Sequence, residues 1–204
     1  MIGRYLKLRR SFQTPVPSLA VVVCLGLPLL LLSNSLMLEA QTSTTAEFRT
    51  KANFLAKVPN FIEWSAEALP PGPSPFLICI LGDFSFALPL AESVRGKTIQ
   101  EKQIEVRGVS KEQELHSCHI LFVSRFERKS YARMLGSVRG QNVLTIGETP
   151  EFLDAGGILG FSMRGETLQF DVNLAEANRA HLKISSRLLA LARHVVNPAE
   201  AAKN

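Results

Sequence analysis

The sequence predicts an α/β fold: a single domain on a mixed, mostly parallel sheet built from βαβ units, with a C-terminal hairpin and helices on both faces. Three observations predict it. The stretches "FLICILG" (76–82), "HILFVS" (119–124) and "QNVLTIG" (141–147) are dense in apolar strand formers, as strands are when both their faces are covered. Helical patterns lie between these strands, which is what the crossovers of a parallel sheet require. Near the end, "GGILGFSMRGETLQFDVNL" reads as an antiparallel hairpin that reverses around residues 164–166.

The chain opens as an address label. Arg4, Lys7, Arg9 and Arg10 precede "LAVVVCLGLPLLLL" (19–32), an apolar run of signal-peptide length that is short for a bilayer span. Residues 1–40 are therefore expected to be a cleaved signal peptide, with the cut after 40 or after 46 and an uncleaved anchor as the alternative. "RRSF" half-matches a twin-arginine signal, which leaves the export route open. Cys24 does not read as a lipidation site, because Val23 precedes it and the apolar run continues past it.

Without residues 1–40, the 23 Lys+Arg and 18 Asp+Glu of the chain become 19 and 17, so the net charge drops from +5 to +2. That balance leaves no footprint for nucleic acid. About 160 residues suffice for one domain with a real core. The domain is placed at 47–196, with 197–204 as a short tail.

The elements follow in chain order. "TTAEFRTKANFLAKVPNFIEW" spaces Phe48, Ala52, Leu55 and Val58 as one face of an amphipathic helix that bends or ends near Pro59, with Glu63 and Trp64 at its end. "LPPGPSP" (69–75) is a stiff connector. After the first apolar strand, Asp83 is placed to cap a short helix, and "KQIEVRGV" alternates as a strand with Ile104 and Val106 on one face. "RFERKSYARMLGSVRG" reads as a basic helix carrying Phe126, Tyr131, Met134, Leu135 and Val138. Beyond the hairpin, "AEANRAHLKISSRLLALARHVV" reads as one or two closing helices starting at Ser185 or Ser186.

Few residues carry chemistry. His116, Cys118 and His119 sit together, but without a CxxC or HExxH pair the metal signal is weak, and adjacent strand residues such as Cys118 and His119 point to opposite faces. No metal, cofactor or catalytic residue is assigned. The glycines of 156–160 open a strand rather than a helix, which excludes a phosphate cradle and leaves a turn with positive φ. Glu148, Glu151 and Asp154 read as a solvated loop and helix cap. Trp64 reads as a core plug, or else an interface anchor. Once Cys24 is removed with the leader, Cys79 and Cys118 are the cysteine inventory. Two unpaired buried thiols remain an alternative, but in an exported chain a disulfide between adjacent parallel strands is the simplest account.

The blocks "KANFLAKVPNFIEW", "FLICILG", "CHILFVS", "VLTIGETPEFLDAGGILGF" and "LQFDVNLAEANRAHLKISSRLLALARHV", in this order, resemble the YfiR family over about residues 47–196. The resemblance implies a small periplasmic α/β domain, dimeric and non-catalytic. It would act as a repressor that holds the sensing part of an inner-membrane diguanylate cyclase inactive and so restrains cyclic di-GMP signalling and biofilm growth. The family's bridge between the first apolar strand and the Cys-His strand maps onto Cys79 and Cys118. A second family disulfide has no counterpart, since residues 143–165 contain no cysteine, and Ala56 stands where an aromatic residue is usual.

Partner or self contacts are expected on the first helix, through Phe48, Phe54, Phe61 and Trp64, and on the closing helices, through Lys183, Arg187, Leu188 and Arg193. The competing expectation is a periplasmic small-molecule-sensing or solute-binding domain. Its pocket would lie at the carboxyl ends of the parallel strands near Gly82, Ser124 and Gly147.

Overall fold

The computed structural model describes residues 45–197 except Glu166. The expected signal peptide with a cut after 40, and the tail beyond 197, lie outside the described residues, whereas the alternative cut after 46 falls just inside them. The fold is α/β, as the sequence predicts. Its eight-stranded sheet runs β10–β8–β7–β6–β5–β2–β4–β3. The strands are β2 (Phe76–Leu81), β3 (Thr98–Ile99), β4 (Lys102–Val109), β5 (Ile120–Val123), β6 (Leu144–Gly147), β7 (Leu159–Arg164), β8 (Thr167–Asn173) and β10 (His194–Val196). Strands β4, β2, β5, β6 and β7 are parallel to one another. β3 is antiparallel to β4, β7 and β8 form the antiparallel hairpin, and β10 pairs parallel to β8. The chain leaves β2 first toward β4 and then returns to β5 on the other side. The direction of winding therefore reverses between β2 and β5.

Alternation along the buried strands sorts the core into two layers. Phe76, Ile78 and Ile80 of β2, with Ile120 and Phe122 of β5, face one side. Leu77, Cys79 and Leu81, with Leu121 and Val123, face the other. The first layer is covered by α1 (45–57), α2 (Ala87–Val94), α6 (Leu174–Arg179) and α7 (Ser186–Leu189). The second is covered by α3 (Glu112–Leu115), α4 (Tyr131–Val138) and α5 (Pro150–Asp154). Phe152 of α5 presses so closely on the chain that a Cβ on Gly147 or Gly157 would meet its ring at 2.2 Å, which is why both positions are glycine.

Several local expectations are corrected. The first helix stops at residue 57, because Pro59 has no N–H to give the carbonyl four residues back, and Val58–Phe61 continue as one tight 3₁₀ turn. Ile62–Glu63 then form β1, which pairs antiparallel with β9 (Lys183–Ile184). Trp64 follows that strand rather than ending a helix. The closing segment is likewise broken. His181 sits at φ 56°, and β9, the four-residue α7 and β10 replace a continuous helix. Ser185 does start α7, its hydroxyl accepting from the Arg187 N–H. Residues 125–130 are a 3₁₀ turn that leaves Phe126 74 % exposed, whereas Tyr131, Met134, Leu135 and Val138 are buried on α4. Asp83 shapes the turn before α2 by accepting from the Ser85 N–H, and the helix cap itself is Phe86.

Candidate interaction surface

Helix α1 buries Ala52, Leu55 and Ala56 against the sheet, and Phe54 lies at the margin of that face. Its ring meets Phe161 and Phe170 at centroid distances of 5.9 and 5.3 Å. Beyond Phe54 the cover is incomplete. A groove of about 330 Å³ runs between α1, β8 and α7, with Phe54, Phe61, Leu168, Phe170, Leu188 and Leu191 as its apolar lining. Leu191 is 70 % exposed at the rim, where Asn53 and Lys57 supply the polar edge.

The residues singled out from the sequence divide around this groove. Phe54, Phe61 and Leu188 line it, Leu188 from a buried position on the floor. Trp64 is only 7 % exposed, gives its indole N–H to the Pro59 carbonyl and packs edge-on against Phe76, so it is part of the core. Phe48 is half-buried against the core with the Lys51 ammonium 6.0 Å from its ring, away from the groove. Lys183 is exposed and pairs with Glu63 across the β1–β9 ladder. Arg193 pairs with Asp171, and Arg187 is exposed beside Leu188.

The second concentration of polar groups lies at the carboxyl ends of β5 and β6, and sequence reasoning missed it. Lys51 of α1 is buried and holds Glu47 and Glu148 at 2.5 Å each. The Arg125 backbone N–H donates to the other Glu148 oxygen at 3.0 Å, and its guanidinium reaches Glu47 at 3.1 Å. The Lys51 ammonium, hydrogen-bonded to Glu47, holds that carboxyl below the usual glutamate range. Two cations balance two carboxylates, so the cluster anchors α1 to the strand ends rather than poising a proton. Glu148, expected in solvent, is instead 7 % exposed here. The legible signal was a lysine on the apolar stripe of α1 and a glutamate directly after a buried strand.

Of the three strand ends expected to frame a ligand pocket, one does. A cavity of about 210 Å³ opens beside Gly82, lined by Leu81, Phe84, Val109, Glu127, Arg133 and Met134 among others. Ser124 is fully buried and its hydroxyl accepts from Phe126, while the space at Gly147 is filled by Phe152.

Cys79 and Cys118 are joined in a disulfide with Cα atoms 5.8 Å apart. The neighbouring His119 points to the opposite layer, stacked on Phe76 at 4.7 Å, and its Nδ1 accepts from the Leu77 N–H. Burial lowers its pKa below 6.5. His116 contacts Gln141. Among the described residues no group of three His, Cys, Asp or Glu side chains could hold a metal ion, and no helix is long and apolar enough to cross a membrane.

Comparison with known proteins adds one firm result. No curated protein matches the chain. Among solved structures, a conserved domain protein from Vibrio cholerae O1 biovar El Tor is 11 % identical, with a TM-score of 0.46 over 64 % of this chain and 57 % of the other. The ABC domain from Streptococcus pneumoniae, solved in complex with L-Trp, is also 11 % identical, with a TM-score of 0.46 over 72 % of this chain and 60 % of that one. The chain thus spans well under two thirds of either protein, and likeness this distant transfers neither ligand nor role. The YfiR/HmsC-like family model, in contrast, matches residues 48–193, which is most of the chain, and the protein belongs to that family.

Proposed function

We propose that the protein is an exported, non-catalytic periplasmic regulator of cyclic di-GMP signalling that binds the periplasmic part of an inner-membrane sensor and holds it inactive. Family membership supports the setting, and the groove between α1 and α7 supports the binding role. Repression of this kind needs only a higher affinity for the inactive form of the sensor than for the active one. In this reading residues 1–40 are a signal peptide removed on export and 47–196 form the regulatory domain, assembled as a homodimer. N-terminal sequencing of the periplasmic form tests the leader, and sedimentation tests the dimer.

The single observation that carries the binding role is the apolar lining left uncovered from Phe54 to Leu191. A regulator that worked alone would gain by covering it, since exposed leucine and phenylalanine surface favours association. The test is a pull-down from solubilised envelope with the full chain and with Leu191→Glu as baits. A membrane sensor with a diguanylate cyclase domain, recovered by the first and lost from the second, is the expected result. Equal recovery by both baits overturns the assignment of the surface, and recovery of no membrane protein by either overturns the sensor-binding role.

The cavity beside Gly82 favours a second reading, a small-molecule-sensing domain, because it lies at the carboxyl ends of β2 and β4, where open α/β sheets bind ligands. Thermal-shift screening of periplasmic metabolites against the wild type and Met134→Trp, which fills that cavity, tests it. A shift shared by both proteins places the ligand elsewhere.

A further inference from the structure

We infer that the groove between α1 and α7 takes an acidic amphipathic segment of the partner, with apolar side chains seated on Phe54, Phe61 and Leu188 and carboxylates against Lys57 and Arg187. The inference rests on the proposed partner-binding role of this surface and adds the chemistry of what fits it.

Length and shape come first. The lining enters from α1 at Thr50, Phe54, Lys57 and Phe61, which are successive turns on one side of the helix and of the 3₁₀ turn that follows. Such a trough is about 15–20 Å long, enough for two or three apolar side chains spaced along one face of an incoming segment.

Charge decides the rest. Among the described residues, the carboxylates of α1, β1 and β8 are engaged: Glu47 with Lys51 and Arg125, Glu63 with Lys183, and Asp171 with Arg193. The cations at its edge are not. Lys57 is part of the lining, and Arg187 precedes the lining residue Leu188 and stands four residues before Leu191; both are exposed and have no ion pair among the described residues, and the same holds for Arg49, one turn before Asn53 on the same side of α1. An apolar trough edged by unneutralised cations favours apolar ligand surface flanked by carboxylates, and it repels a basic one.

The same charges argue against a second copy seated groove to groove. A two-fold interface places each patch on its own image, so Lys57 and Arg187 would face like charges instead of carboxylates. A homodimer of this chain is therefore expected to use another surface.

The experiment measures fluorescence anisotropy of two labelled helical peptides against the full chain. Both carry leucines at i, i+3 and i+7; one has glutamates and the other lysines on the flanks. The glutamate peptide is expected to bind at least about tenfold more tightly, with the preference fading as salt rises. In the Lys57→Glu, Arg187→Glu variant the preference should invert, and Leu191→Glu should weaken both peptides. Both variants alter exposed side chains, and circular dichroism confirms their folding. Equal binding of the two peptides, or a preference that survives the double reversal, overturns the inference. Binding of neither peptide overturns it as well. If the envelope partner is still lost on Leu191→Glu but retained by the double reversal, the surface role stands and only the acidic specificity falls. Loss of a dimer on Leu191→Glu would identify the occupant as a second copy.

Discussion

The two layers of the core are closed by different means. Under α3, α4 and α5 the cover comes from crossovers between strands that follow one another in sequence, and the Cys79–Cys118 bridge spans only 39 residues. Under α1 and α7 the cover comes from the two ends of the domain, which the two-residue β1–β9 ladder joins, while Lys51 ties the first end to Glu148, 97 residues on at the end of β6. The layer under α3, α4 and α5 is sealed locally and covalently, whereas the layer under α1 and α7 depends on a buried charge cluster and short ladders. The groove lies on the α1 and α7 side. The groove stays open where the cover is assembled from distant parts of the chain, because nothing in the local crossovers forces that cover to be complete.

Breaking the covalent seal should have the largest effect. Cys79→Ala with Cys118→Ala frees a loop of about 40 residues, and the chain-entropy account puts the loss near 4 kcal/mol. Urea unfolding should show the loss, and wild type in reductant should approach the double variant. Native-state hydrogen exchange sharpens the comparison: protection is expected to fall first in α3 and β5 and last in α1. A uniform fall across both layers would remove the distinction.

Breaking the charged anchor comes next. Lys51→Met leaves Glu148 buried without its ammonium, a change that costs about 3 kcal/mol, the low end for a broken buried pair because Arg125 stays beside the carboxylate. Lys51→Met with Glu148→Leu should recover most of that loss, since an apolar pair of similar volume is often neutral in place of an ion pair. Failure of the double variant to recover would mean that Arg125 and Glu47 cannot be left without Glu148.

A smaller effect belongs to the locally sealed layer. Gly147→Ala drives a methyl into the Phe152 ring and should cost about 1–3 kcal/mol, with α5 displaced. Gly160→Ala is the control, because its Cβ would meet only the flexible Leu153 side chain at 3.1 Å. Equal costs at the two sites would show that α5 yields more readily than its packing suggests.

The locally built layer was also the legible one. Apolar density placed β2, β5 and β6, and the helical period placed α4 from Tyr131 to Val138, because residues close in sequence settle those elements. The distant layer was read less well. Lys183, Arg193 and their neighbours look helical by period, yet pairing with Glu63 and with β8 turns them into strand and turn. Glu148 read as a surface charge for the same reason, since its burial is created by Lys51, far away in the chain. Phe54 and Phe61 were legible as candidates for contact, but only the fold separates them from Trp64, which a turn sends into the core.

His119 tests the seam between the layers, with the smallest expected effect. It follows Cys118, so the chain commits one residue to the bridge on one side and the next to the aromatic stack of Trp64 and Phe76 on the other. Burial disfavours the imidazolium and lowers its pKa below the 6.5 of a free histidine. The unfolded chain therefore binds this proton more readily than the folded one. The sign follows: the stability held by neutral His119 is fully present above pH 6.5 and drains away as pH falls through the lower folded value. Protonation of Nδ1 would in addition set two donors against each other, since that nitrogen accepts from the Leu77 N–H. His119→Asn keeps an acceptor in reach without the titration, so its stability should be flatter with pH just below 6.5, measured by urea midpoints across that range. Cys79→Ala with Cys118→Ala should leave this slope in place. If removing the bridge also removes the slope, the two layers are coupled through β5 and the comparison between them fails at its seam.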